Sequence, residues 1–406
     1  MITLFKLAFR DLGRNRRRSF FSSLALAIGL ALLLLIAAVI TGEMRSAMDT
    51  SINLQTGHLQ VRAKTYTESK NSLVWDDLIA DPAPMAAQIA ALAPVKVATP
   101  RLFASGIVSV GDESRGVRIL GVDPASPAND PFRQGLVSGA YLQPDDTGGI
   151  YIGQILADKM NLKTGDTLNL LANTSNGTVD QQPFTVRGLF NTHTPGFDEN
   201  TVLLPLAKAQ AITQTQNHAS AIFVLLKDRD QTPTVVSALQ TSQYQVVTYL
   251  QLNDLLVQTE QLTNGYIFLL YLIVLAITAT VIVNTLIMSV FERTREIGIL
   301  AAIGMKSGHI MGMFFAESSL LAVGGIGMGL ALGGLLVWYS TNVGIYIGGD
   351  FGITGMLLND RLYGYLTLND TIGLTIAAFI VTLLAALYPA LLAARLEPVE
   401  ALRGGK

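Results

Sequence analysis

The chain has 406 residues, half of them hydrophobic and only 14% charged, with a mean hydropathy of +0.42. Soluble proteins carry about 25% charge, so this composition points to membrane insertion. The formal net charge of -2 argues against a nucleic-acid partner, and the absence of cysteine excludes disulfides, thiolate metal sites and thiol redox chemistry.

Residues 1–18 read as a cytoplasmic amphipathic basic helix. Phe5, Ala8, Phe9 and Leu12 share one face of Thr3 to Gly13, and Lys6, Arg10 and Arg14 share another, which suits an anionic inner leaflet. RNRRR (Arg14 to Arg18) then meets an uncharged run from Ser19 to Gly42, the expected first span, residues 19–42. A signal peptide has an apolar core of about 7–15 residues and a small-residue cleavage site. This run is longer, and ITGEM is a poor cleavage site, so the segment is expected to be retained. The helical pattern continues through Met44, Ala47, Met48 and Ile52 and predicts a helix that projects beyond the membrane and stops before Gly57.

Residues 43–260 are expected to form an extracytoplasmic α+β domain with helical stalks. Short alternating segments (HLQVRA, GIVSV, GVRILGV, DTLNLL, FTVRGL, TVLLP and AIFVLL) are separated by turn signals such as VDPASP and NTSNG. Helical patches lie at Met85 to Leu92, Gln154 to Met160, Leu206 to Ile212 and Pro233 to Leu239. Leu252, Leu255, Leu256 and Thr259 then begin a helical face that leads into the second span, residues 261–291, which has no charged residue. Lead-in and span together predict one helix of about forty residues, roughly 60 Å, or twice the hydrocarbon thickness.

A charged segment, residues 292–308, follows. The third span is expected at 309–340, a short outer loop at 341–370, the fourth span at 371–394 and a cytoplasmic tail at 395–406. Four crossings put both termini on one side. Lys and Arg then number six before the first span, three from Arg293 to Lys306 and three in the tail, while the outer loop has only Arg361. This agrees with the positive-inside rule, whereas a hairpin of two spans at 309–349 would reverse the tail. Trp338, Tyr339, Tyr346, Tyr363 and Tyr365 would form an outer aromatic belt.

The segment ERTREIGILAAIG (Glu292 to Gly304) has charges first and an apolar stripe afterwards, with Arg293, Ile297, Leu300 and Gly304 along one line. A simple loop between two spans needs no such stripe. A short helix with one at the cytoplasmic surface is expected to dock in a groove. Glu317 lies a few residues inside the third span, where ionisable groups are rare; a structural hydrogen bond near the short helix is the expectation, ahead of a proton relay. Gly325, Gly329 and Gly333 recur every fourth residue and permit close helix approach, either within one subunit or at a dimer seam. The histidines, His58, His193, His218 and His309, are too scattered for a metal motif, and His193 with Asp198 and Glu199 reads as a surface loop.

These features resemble the bacterial ABC-transporter permeases of the FtsX/MacB/LolC-LolE type (type VII, four spans). The resemblance rests on ERTREIGILAAIG, LAFRDLGRNRRR, FFAESSLLAVGGIGMG and ALYPALLAARLEPVEALR. Looser matches are GHLQV, TPRLFASGIVSVGD, GVDP and IGQILADKMNLKTGDTL. The resemblance implies that Glu292, Arg293, Arg295, Glu296, Ile297, Gly298, Leu300 and Gly304 form a coupling helix against an ABC ATPase, two copies of which serve a pair of permeases. The second permease would be another copy or a paralogue. No catalytic, cofactor or metal residue is expected on this chain; ATP and Mg would be held by the partner. No G-x-x-x-x-G-K-[ST] loop is present, and about eighteen residues precede the first span, so the ATPase of MacB is not expected to be fused here. The implied function is lipoprotein or lipid extraction from the inner membrane. The alternatives are FtsX-like activation of a cell-wall hydrolase, or MacB-like export of peptides or small hydrophobic molecules.

Overall fold

The computed structural model describes residues 10, 13–14, 16–66, 71–240, 243–346, 352–353, 356–357 and 361–397. Most of the basic N-terminal helix, much of the outer loop and the tail beyond residue 397 lie outside these residues. The chain divides into two compact units: one comprises Met1–Arg45, Thr259–Ile347 and Asp360–Lys406, and the other is built on Ser46–Gln258.

Helix α1 runs over Arg16–Ser51. It closes in one wide π-turn, Ile52–Thr56, whose Ile52 carbonyl accepts the Gly57 N–H at 2.8 Å. Gly57 stops the helix with φ +64°, and a Cβ there would lie 2.7 Å from the Val224 carbonyl oxygen. Only glycine meets both demands.

The unit built on Ser46–Gln258 is α+β. Its strands are β1 (Leu59–Ala63), β2 (Ile79–Ala80), β3 (Val95–Val110), β4 (Glu113–Val122), β5 (Leu136–Gly139), β6 (Gly149–Gly153), β7 (Thr167–Asn173), β8 (Val179–Phe190), β9 (Thr201–Pro205), β10 (His218–Ala219), β11 (Ala221–Leu226) and β12 (Tyr244–Thr248). Between them lie α2 (Pro82–Ala90), α3 (Asp130–Gln134), α4 (Gln154–Lys159), α5 (Pro195–Asn200), α6 (Leu206–Ile212) and α7 (Thr232–Leu239). Strand β3 is 16 residues long and serves two cores. Its first half pairs with β11, which leads on to β1 and β12. Its second half pairs with both β4 and β7, and the pairings β4–β9, β9–β6, β6–β8 and β8–β7 close a ring of six strands. Leu102, Val108, Ile119, Ile150, Leu170, Val186 and Val202 pack in the core of that ring. A closed ring satisfies its backbone groups without free edges. A separate cluster of Leu59, Val61, Ile89, Ile222, Val224 and Val235 sits under α2 and α7.

Helix α8 (Tyr249–Leu252) begins with a capping box between Thr248 and Gln251. The helical line then breaks at Asn253 (φ −116°, ψ 42°) and resumes as α9, Asp254–Glu292. The lead-in is thus two helices, not one. At the break the Tyr249 carbonyl accepts both the Asn253 backbone N–H at 3.0 Å and Asn253 Nδ2 at 2.9 Å. Helix α9 has 39 residues, close to 58 Å at about 1.5 Å per residue.

Helix α10 (Thr294–Ala302) is followed by α11 (Ser307–Asn342), one uninterrupted helix of 36 residues rather than a hairpin, and by α12 (Leu368–Ala394). The Thr367 side chain caps α12 by accepting the Asp370 N–H at 3.1 Å. By length and composition, α1, α9, α11 and α12 can each cross a membrane.

Candidate functional site

The short helix α10 is bound into its own unit on one side and open on the other. In Thr294 to Ala302, Glu296 suits the positive end of the helix and Leu300, Ala301 and Ala302 are good helix formers, while Ile297 and Gly298 are helical because that face is buried. Gly304 ends it with φ +93°, and the Met305 and Gly304 N–H groups return to the Leu300 and Ala301 carbonyls, a Schellman closure. Gly304 is therefore a stop signal.

Arg293 stands just before the helix and is 2% exposed; Glu317, on α11, is 3% exposed. Arg293 Nη1 lies 3.5 Å from Glu317 Oε2. Two residues read separately from the sequence, one in the charged segment and one in the third apolar run, thus form a buried ion pair. Ile297 is also buried, in a cluster with Val290 of α9, Ile310 and Phe314 of α11, and Ala390 and Ala393 of α12. Gly298 is buried beside it, and Leu300 is half-buried.

The docking stripe expected from the sequence therefore needs correction. Arg293 and Ile297 point into their own bundle, because a nine-residue helix between two long ones must bury an apolar face there first. The open face carries Glu292, Arg295, Glu296, Ile299, Ala302 and Ile303. Ile303 is 76% exposed, a large apolar side chain on a charged surface. Ile299 and Ile303, four residues apart, were missed although their spacing was legible. Arg14 Nη2 donates to Glu296 Oε1 at 2.8 Å, an exposed pair that contributes little, about 0–1 kcal/mol.

Gly325, Gly329 and Gly333 all face α1 of the same chain. Cβ atoms there would lie 2.8 Å from Leu26 Cδ2, 3.0 Å from Leu30 Cβ and 2.7 Å from Leu34 Cδ1. The two readings of this stripe are thereby separated: it is the seat of α1 within one subunit. Leu26, Leu30 and Leu34 recur every fourth residue like the glycines they cover, a signal hidden inside a uniformly apolar run. Gly327, by contrast, has nothing within 4 Å.

In the other unit, Asp198 is fully buried rather than on a surface loop. Its carboxylate accepts the Thr192 N–H at 2.9 Å and the Thr192 hydroxyl at 2.6 Å, and burial pushes it above the usual carboxylate range. Arg101, also fully buried, donates to the Leu54 carbonyl at 2.8 Å and to Asn129 Oδ1 at 3.1 Å, over the Phe223 ring; burial brings it down to about 9. Neither role was legible in the sequence. No group of three or more metal-ligating side chains is gathered among the described residues.

The sequence matches the family model of the MacB-like periplasmic core domain over residues 19–242 and that of the FtsX-like permease C-terminal region over residues 268–398. The lipoprotein-releasing system transmembrane protein LolC of Xylella fastidiosa is 25% identical, over 98% of each chain. LolE of Haemophilus influenzae is 23% identical, over 94% of this chain and 93% of that one. The macrolide export ATP-binding/permease protein MacB of Campylobacter fetus is 26% identical over 98% of this chain, which spans 60% of that protein. With its apolar helices and MacB-like periplasmic domain, the chain belongs to the FtsX/MacB/LolC family of ABC-transporter permeases.

Proposed function

We propose that this chain is the membrane subunit of an ATP-driven complex that releases lipoprotein or lipid from the outer leaflet of the inner membrane. It crosses the membrane four times, with both termini cytoplasmic and the MacB-like domain outside, between the first and second spans. It pairs with a second permease, and two copies of a separate ATPase bind the pair. The observation that carries this reading is the two-sided helix α10. Its inner face is held by Ile297 and the Arg293–Glu317 pair, and its outer face offers Arg295, Glu296, Ile299 and Ile303. An amphipathic helix of this kind fits a groove in a partner. Because α10 follows α9 directly, a pull on α10 acts on a 39-residue rod. ATP binding by the partner favours one of two states, and the rod carries the difference outward. The likeness to LolC over 98% of both chains favours lipoprotein release over peptide or macrolide export.

The test is purification of the tagged protein in mild detergent from its native membrane, with mass spectrometry of what remains bound. An ATPase together with triacylated lipoproteins supports the proposal. An ATPase with a cell-wall hydrolase and no enriched lipid would replace release by transmembrane signalling. Absence of any ATPase, under conditions that preserve a known ABC complex, would refute both. A Gly-Gly insertion at Gln261 tests the rod: ATPase binding should persist while outside work is lost.

A further inference from the structure

The two helical ends that enter the outer domain are held very differently. At the end of α1, Ile52, Leu54 and Thr56 are buried. Arg101 holds the Leu54 carbonyl, and Gln60 Nε2 donates to the Gln55 and Thr56 carbonyls at 3.1 and 2.9 Å. Gly57 has no room for a side chain. This end is welded to the domain by buried apolar surface and charge-assisted bonds.

Residues 249–257 show the opposite. None is buried, and Leu255 is 77% exposed. Leu256 and Val257 pack, half-buried, on the cluster of Met48, Ile52, Ala128, Phe223 and Leu225, and Tyr249 adds a backbone N–H bond to the His58 carbonyl at 3.1 Å and contacts with the His58 ring and the Arg229 guanidinium. The helical line is already broken at Asn253, whose side chain makes a direct polar link to the α1 end, beside Arg229, which lies over Tyr249 and pairs with Asp49 of α1. The Ser51 hydroxyl donates to Asn253 Oδ1 at 2.6 Å, and Asn253 Nδ2 donates to Thr56 Oγ1 at 3.5 Å. Hinges are element ends that absorb backbone rotation, and segments with little buried surface open most easily.

We propose that Asn253 is the positioning residue of a pivot: α9 turns about the break at Asn253 during the ATP cycle while the π-turn end of α1 stays fixed, and the Ser51–Asn253 bond is the latch that sets the resting angle. This rests on the proposed ATP-driven function and says where its movement enters the outer domain. Asn253 touches no substrate; it acts by setting the angle of α9. A welded α1 end supplies the fixed reference without which a moving rod would only tilt the whole domain.

The experiment uses the full chain with its ATPase in nanodiscs, comparing nucleotide-free protein with the state trapped by ATP and vanadate. Hydrogen exchange at 249–257 should change about tenfold on trapping, and exchange at 52–60 by less than about twofold. The chain has no cysteine, so Ser51→Cys with Asn253→Cys supplies the only thiol pair. Bridging it with a short bis-thiol reagent should abolish the exchange response while ATPase binding persists, and reduction should restore it. Asn253→Asp keeps the acceptor for Ser51 and should retain the response; Asn253→Ala should raise exchange at 249–257 before any nucleotide is added. Equal changes in both segments, or a bridged protein that still responds, would overturn the pivot. Failure of the unmodified chain to support ATP hydrolysis would instead overturn the function on which the pivot depends.

Discussion

The glycine stripe of α11 gives a quantitative test of how this membrane unit is packed. Adding one methyl at Gly325 would place Cβ 2.8 Å from Leu26 Cδ2 and 2.9 Å from the Ser23 carbonyl oxygen. At Gly333 it would lie 2.7 Å from Leu34 Cδ1 and 3.1 Å from Ala31 Cα. Carbon atoms rest at about 3.5–4.0 Å, so α1 and α11 must part by roughly 0.5–1 Å at each level. Overpacking of this kind costs about 1–3 kcal/mol, and the better helix propensity of alanine returns at most about 1 kcal/mol. A single Gly→Ala variant should thus lose about 0–3 kcal/mol. The triple variant Gly325→Ala, Gly329→Ala, Gly333→Ala should lose about 2–4 kcal/mol, less than three independent sites, because one separation of the helices relieves all three. Gly327→Ala meets nothing within 4 Å and should be neutral or slightly stabilising. The assay is SDS-driven unfolding in mixed micelles, read by energy transfer between single labels on α1 and α11 of this cysteine-free chain. A triple variant as stable as Gly327→Ala would refute the packing. So would a variant that changes only self-association, since that is the behaviour of a subunit seam.

The Arg293–Glu317 pair should show energetic coupling: in a cycle of Arg293→Met, Glu317→Gln and the double variant, unfolding free energies should depart from additivity by at least about 1 kcal/mol, and strict additivity would refute the pair. His58 Nδ1 accepts the Leu226 N–H at 3.1 Å, and burial, with Arg229 and Lys96 nearby, holds its pKa below the usual histidine value against the opposing pull of Asp49 and Asp228. The unfolded chain therefore takes the proton first, so this contribution is complete above about pH 6.5 and is lost as the pH falls below it. Urea unfolding between pH 7.5 and 5.5 should show the loss, and His58→Asn, which keeps an acceptor without titrating, should flatten it; an unchanged slope would refute the assignment. Gly153→Ala would place Cβ 1.8 Å from the Asp198 carbonyl oxygen, a backbone clash costing about 3 kcal/mol or more, whereas Gly148→Ala meets nothing within 4 Å. Thermal unfolding compares the two, and equal midpoints would refute the packing of α5 on β6.

Much was legible because periodicity and charge act locally. The four apolar helices, the charged segment between two of them and most strands of the outer unit follow from runs, alternation and turn residues that each segment carries by itself. The first half of β3 was missed because VKVATPRLFA mixes charge and proline into a strand that pairs with β11 far along the chain. The short strands β5, β6 and β12 were missed because their partners, not their own pattern, make them strands. The break at Asn253 was read through as helix, since apolar spacing continues across it and the departure is confined to the backbone of one residue.

By itself the sequence determined where the apolar helices lie, how long they are, that a folded α+β unit stands between the first two, and which short segment joins charge to an apolar face. Those are properties of single segments in contact with solvent or lipid, so composition decides them. Only the tertiary structure decided which way that short helix faces. Ile297 and Arg293 turn inward because α9, α11 and α12 supply the apolar seat and Glu317 supplies the opposite charge. It also decided that the glycines face α1, and that Arg101 serves the end of α1 rather than the surface. Burial and pairing are relations between distant residues, and a side chain acquires its role only when the fold has chosen its neighbours.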